Sequence, residues 1–129
     1  MHTTCTLMPG RSSYTSLRLQ AVAKIYNSTT AADLAARASN LRQVSDHIKI
    51  NSVGNPVVVF GDSNTRYTRA GDIPTIFSTE NSMEDVWIEL VRKGVAPTAG
   101  SDALLCDNPS PNTTCETVDK VWYLSLIHI

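Results

Sequence analysis

The run Asn55-Pro56-Val57-Val58-Val59-Phe60-Gly61-Asp62-Ser63-Asn64 constrains this chain more than any other stretch. Pro56 has no N–H to give a ladder and breaks what precedes it. Val57 to Phe60 are consecutive β-branched or aromatic residues, the composition of a strand buried on both faces of a helix-covered sheet. Gly61 ends the run and lets the backbone turn without a Cβ clash. Asp62 and Asn64 come next, two apart, and such residues point to one side of an extended backbone. A carboxylate and an amide are thus aimed together from the carboxyl end of a buried strand, where ligands of helix-covered sheets gather. Arg66 and Arg69 follow on the same loop. A carboxylate, an amide and cations at one strand end suit an anionic, phosphate-like ligand. By residue type alone the plainer reading is a strand-to-loop turn, since Asp and Asn favour turns.

The flanking chain supplies the elements that such a strand needs. Residues 1–13 are polar, carry the turn signal Pro9-Gly10 and form a ragged start. From Tyr14 to Tyr26 the pattern alternates, with Leu17, Leu19, Ala21, Ala23 and Ile25 on one side, which predicts a strand or two strands joined by a bend. Thr30 caps a helix with Asp33 at its third position. Leu34, Ala38, Leu41, Val44 or Ser45, and Ile48 make its apolar face, and Arg37, Asn40, Arg42, Gln43 and Asp46 lie mostly off it. Gly54 lies in the break before the buried strand. Strand, helix, buried strand reads as a βαβ unit and predicts an α/β fold. Ser82 and Asp85 begin a second helix, with Met83, Val86 or Trp87, Leu90 and Val91 on its apolar side and Gly94 closing it. Residues 95–117 are a long irregular segment, of the kind that is functional or disordered. Val118 to Tyr123 alternates as a final strand.

The chain has 129 residues, enough for one domain with a modest core, and its 42% hydrophobic and 18% charged residues are ordinary globular composition. With a net charge of -1 there is no basic excess to hold a nucleic-acid backbone by charge alone. This argues against a dedicated nucleic-acid module, though not against an enzyme acting on a phosphodiester. No run approaches a membrane span, and the first residues show no signal peptide. Of the three cysteines, Cys5, Cys106 and Cys115, the last two flank a turn-rich loop that a disulfide could close. There is no CxxC and no nearby His pair, which argues against metal binding by these cysteines. Asn27 and Asn112 each open an N-glycosylation tripeptide. Together with the disulfide candidate they point to a secreted protein. A Gly-rich phosphate loop of the P-loop or Rossmann type is missing, so a nucleotide-binding module is set aside.

Gly61-Asp62-Ser63-Asn64 after a hydrophobic strand resembles the GDxN signature of the endonuclease/exonuclease/phosphatase superfamily, the DNase I-like fold of nucleases, sphingomyelinases and inositol polyphosphate 5-phosphatases. Val118-Asp119-Lys120-Val121 resembles that superfamily's later Asp-bearing strand. Asn40-Leu41-Arg42-Gln43 resembles the helix that precedes its GDxN. The three matches fall in order over residues 14–123, and the wording Gly61 to Asp72 is most similar to secreted fungal members. The resemblance implies a four-layered α/β sandwich, a divalent cation (Mg2+) as cofactor and a phosphoester substrate. It gives catalytic roles to three residues. Asp62 orients or activates the attacking water or lies in the metal and phosphate shell, Asn64 binds the scissile phosphate, and Asp119 orients a histidine. Arg66 and Arg69 are substrate-phosphate candidates.

The departures from that pattern are as specific. The superfamily's metal-binding Asn and Glu belong to earlier strands that have no counterpart here. The turn after Ile25-Tyr26 holds no His. Gly100-Ser101-Asp102-Ala103 precedes Asp119, which is the wrong order for the closing Ser-Asp-His motif, and His2, His47 and His128 do not supply it. The expectation is a C-terminal-half fragment of a metal-dependent phosphoric-ester hydrolase, inactive by itself. The alternative, from another class, is a non-catalytic secreted α/β binding domain or degenerate relative. Residues 124–129 resemble a translated sequencing adaptor and carry no functional argument. The substrate, whether nucleic acid, phospholipid or sugar phosphate, is left open.

Overall fold

The computed structural model describes residues 15–20, 29–106 and 112–124. The elements follow in the order β1 (Thr15–Gln20), α1 (Ala31–Asn51), β2 (Val57–Asp62), α2 (Ile76–Asn81), β3 (Glu84–Asp85), α3 (Val86–Leu90) and β4 (Asp119–Leu124). Thr30 caps α1 as its sequence predicts, its Oγ1 accepting the N–H of Asp33 at 3.3 Å. The helix returns the chain so that β1 and β2 lie parallel, which completes the expected βαβ unit. β4 then enters antiparallel to β2 and also pairs with β3, giving the strand order β1-β2-β4-β3 among the described residues. The protein is a mixed α/β fold.

One face of this sheet carries the core. Val57 and Val59 of β2 and Trp122 of β4 are fully buried against Leu41, Val44 and Ile48 of α1, Ile76 and Phe77 of α2, and Met83. Phe77 meets Trp122 edge to face with ring centroids 4.9 Å apart, a favoured aromatic geometry. The opposite face is not covered by any of the described residues. Phe60 and Val121 are register partners on it and remain 38% and 42% exposed. The expectation that β2 is buried on both faces therefore fails, because among the described residues helices cover only the side of Val57 and Val59.

Other expectations shift for local reasons. Gly61 does not end β2. The strand continues through Gly61 and Asp62, which pair with Lys120 and Asp119. Arg37 is not off the apolar face of α1 but 4% exposed, because a carboxylate from the later loop comes to meet it. The sequence places no helix between the signature loop and Ser82, yet α2 forms over Ile76–Asn81. The helix expected from Ser82 is shorter. Ser82 caps α2 in the left-handed region at φ 55°, Glu84 and Asp85 are drawn into the sheet, and α3 starts only at Val86. Met83 consequently lies in the core ahead of α3, and Leu90, expected on its apolar side, is 79% exposed. β4 takes in Leu124, which packs beside the core. The later half of the alternating Tyr14–Tyr26 stretch, and Asn27, lie outside the described residues.

Phe77→Ala is expected to cost about 3–5 kcal/mol in urea unfolding, the usual cost of deleting a buried aromatic. Leu90→Ala is expected to stay within about 0.5 kcal/mol, as exposed positions do, and a large loss there would contradict the short α3.

Candidate functional site

The register of β2 on β4 sets the site. Asp62 lies directly opposite Asp119 at the end of the ladder, on the same face as the Phe60–Val121 pair. Residues far apart in sequence thereby place two carboxylates side by side. Asn64 joins them by a different route from the one its spacing suggests. The backbone does not stay extended past Asp62. Asn64 adopts the left-handed conformation at φ 51°, uncommon for a residue with a side chain but tolerated by Asn. The chain curls back, so that Asp62 Oδ1 accepts the Asn64 N–H at 2.8 Å and Oδ2 lies 3.3 Å from Nδ2. Asp62 is half-buried, Asn64 is 2% exposed and Asp119 is exposed.

Neighbouring hydroxyls pin this turn to β4. Ser63 donates both its N–H (2.9 Å) and its Oγ–H (2.8 Å) to the Val118 carbonyl, one residue before Asp119. Ser63 Oγ also lies 2.9 Å from Thr65 Oγ1, and both residues are buried. Burial raises the Asp62 carboxyl above its ordinary value of 3.8. The Asn64 N–H works against that rise, and the nearby Asp119 charge adds to it.

Behind the turn lies a buried ionic clasp. Asp72, with a fully buried side chain, accepts Arg37 Nε at 3.0 Å and Nη2 at 2.9 Å on Oδ1. Its Oδ2 takes the Arg66 backbone N–H at 3.0 Å and lies 3.2 Å from Arg69 Nη1. Arg69 Nη1 in turn donates to the Asn64 carbonyl at 3.0 Å. Arg69, a phosphate candidate by sequence, is therefore placed as a brace from Asp72 to the Asn64 carbonyl. The Arg66 side chain is half-buried, and its Nε is buried with no hydrogen-bond partner among the described residues.

Sequence reasoning missed Asp72, Arg37, Glu116 and Lys120, all of them buried or holding buried charge. A signal existed for Lys120: in the alternating β4 it shares the face of Trp122, which is the core face. Asp72 carried no such signal beyond a Gly-Asp turn. Cys106 and Cys115 are joined in a disulfide with Cα atoms 5.6 Å apart. Asn112 is exposed, its Oδ1 accepting the Thr114 N–H at 2.9 Å. His47, on α1, contacts Asn51. His2 and His128 lie outside the described residues.

Curated proteins named sphingomyelinase, from Mycobacterium bovis and from two strains of Mycobacterium tuberculosis, are similar to this chain. Each is 30% identical over 87 residues, which is 67% of this chain and 16% of the relative. The chain thus spans 16% of the length of the curated relatives it matches. No family profile matches it, and no solved structure does.

Two measurements probe this geometry. Asp72→Ala leaves Arg37 and Arg69 buried without their carboxylate and is expected to cost about 3–5 kcal/mol in urea unfolding. Asp62→Asn tests the raised carboxyl. A group whose folded pKa exceeds its unfolded value contributes stability below the unfolded pKa and loses it as pH climbs through the folded one. Asp62→Asn should therefore raise the thermal midpoint at pH 7 and give no gain near pH 3, and the reverse order would contradict a raised pKa.

Proposed function

We propose that this chain carries one wall of the active site of a phosphoric-ester hydrolase of the endonuclease/exonuclease/phosphatase superfamily, acting on phosphodiesters. The observation that carries this reading is the cross-strand pair of Asp62 and Asp119 with Asn64 curled onto Asp62, at the end of a strand bearing the Gly-Asp-x-Asn order. The likeness to proteins named sphingomyelinase makes sphingomyelin-type phosphodiesters the first substrates to test.

In this reading Asp62, with its raised carboxyl, orients the attacking water and accepts its proton. Asn64 donates to a non-bridging phosphate oxygen, with the carboxylate as its bracing partner. Asp119 orients a histidine supplied by the longer protein. A divalent cation, Mg2+, neutralises charge on the phosphoryl oxygens when bound. Among the described residues no three His, Cys, Asp or Glu side chains gather as a metal site. Mg2+ often takes only one or two carboxylates from a protein and keeps several waters. The ligands would come from segments of the longer protein, since in this reading Asp62 and Asp119 are taken up by the water and the histidine.

The sheet face left open by the described residues supports the fragment reading. Phe60 and Val121 expose an apolar surface beside the carboxylates, as a sheet does when a second sheet belongs against it. A partner sheet there would complete the four-layered sandwich and bring the missing ligands to the end of β2. The Cys106–Cys115 disulfide fits a secreted protein.

The test is turnover of sphingomyelin and of a generic phosphodiester by the longer protein that contains this segment. Asp62→Ala is expected to lower kcat/KM by about 10²–10⁴-fold, the range for loss of a general base. The 129-residue chain alone is expected to turn over neither substrate with Mg2+. Full activity of the longer protein after Asp62→Ala would sink the assignment.

A further inference from the structure

Glu116 lies just ahead of β4, 4% exposed, and its carboxylate reaches across to the loop that leaves Asn64. It accepts the backbone N–H of Tyr67, and on its other oxygen the Thr68 N–H at 3.3 Å and the Thr68 Oγ1–H at 2.8 Å. A buried carboxylate is tolerated only when paired and hydrogen-bonded. The paired cation is Lys120, 3.5 Å away and itself buried. Lys120 lies 4.7 Å from the Tyr67 ring centre and 5.8 Å from that of Trp87, and donates to the Thr117 carbonyl at 3.1 Å. The Glu116 backbone is fixed as well. Its N–H donates to the Leu104 carbonyl at 2.8 Å, and the preceding residue, Cys115, is held by the disulfide.

The loop is therefore tied at both ends to the segment that leads into β4. Before Asn64 the tie is Ser63 on the Val118 carbonyl, and after it the tie is Tyr67 and Thr68 on Glu116. Both anchors belong to residues 116–118, which run straight into Asp119. Asn64 sits between them in its left-handed conformation.

We propose that Glu116 is a positioning residue of the Asp62–Asn64–Asp119 site, which fixes the loop carrying Asn64 to the strand entrance carrying Asp119. Its importance for catalysis rests on the hydrolase reading above, but the geometric coupling does not. Glu116 acts through the Tyr67 and Thr68 amides and touches no reacting atom.

The experiment is amide hydrogen exchange and ¹H–¹⁵N spectra of the full chain with Glu116→Ala and Glu116→Gln. Glu116→Ala is expected to speed exchange at Tyr67 and Thr68 at least about tenfold, since charge-assisted bonds are lost. It should also displace the Asn64 amide signal, while Leu41 and Val44 keep their rates. Glu116→Gln retains one acceptor oxygen without the charge and should give the same changes in smaller measure. If Glu116→Ala does not fold, the Gln variant decides the matter by the same criteria. An unmoved Asn64 signal beside faster exchange at Tyr67 and Thr68 would show that the tether ends in its own loop, and would overturn the proposal. So would faster exchange at Leu41 and Val44 in step with Tyr67, which would make Glu116 a general support of the fold. Neither readout needs turnover, so an inactive parent protein would refute the hydrolase reading and leave this coupling standing.

Discussion

The antiparallel pairing of β2 with β4 is the constraint on which the rest depends. It sets Val59 beside Trp122 on the core face and Asp62 beside Asp119 on the opposite face, at the end of the ladder. The same alternation that buries one set of side chains presents the other set outward. A slip of one residue would turn Trp122 out of the core and separate the carboxylates. The apolar core thus enforces the polar geometry. Trp122 and Phe77 hold the register in which the two acids meet.

That pairing joins segments far apart in the chain, and closing the intervening loop costs entropy. The intervening chain is accordingly tied down by more than apolar contact. The disulfide fixes one approach to β4, Trp87 Nε1 donates to the Thr113 carbonyl at 2.9 Å, and Asp85 both caps α3 and accepts the Tyr67 hydroxyl at 2.8 Å. Two buried ionic groups complete the scheme. Asp72 with Arg37 and Arg69 clamps the loop against α1, and Glu116 with Lys120 clamps it against β4. Buried ion pairs are poor sources of net stability but exacting in geometry. Here they converge on the short loop that contains the left-handed Asn64. Burial lowers the Lys120 ammonium pKa below its ordinary value, and the nearby Asp85 and Glu116 charges oppose that.

Much of the scaffold was legible in the residues. The Thr30 cap, the apolar repeat Leu41, Val44 and Ile48, and the Val57–Val59 strand each carry a local signal strong enough to survive in the fold. The pair Asp62 and Asn64 was visible too, though for the wrong reason: strand alternation would aim them in parallel, whereas a left-handed turn folds one onto the other. α2 and the late start of α3 were not legible. Each is a short segment decided by contact, with Phe77 drawn to Trp122 and Glu84 drawn to Tyr123.

By itself the sequence determined the elements with strong periodicity, the α/β class and the two motifs that bracket the site, because hydrophobic pattern and turn chemistry act over a few neighbouring residues. Only the tertiary structure decided which charges are buried, which face of β2 the helices cover, and that Asp119 stands opposite Asp62. Those outcomes depend on contacts between Arg37 and Asp72, Tyr67 and Glu116, and β2 and β4, pairs whose members no local pattern connects.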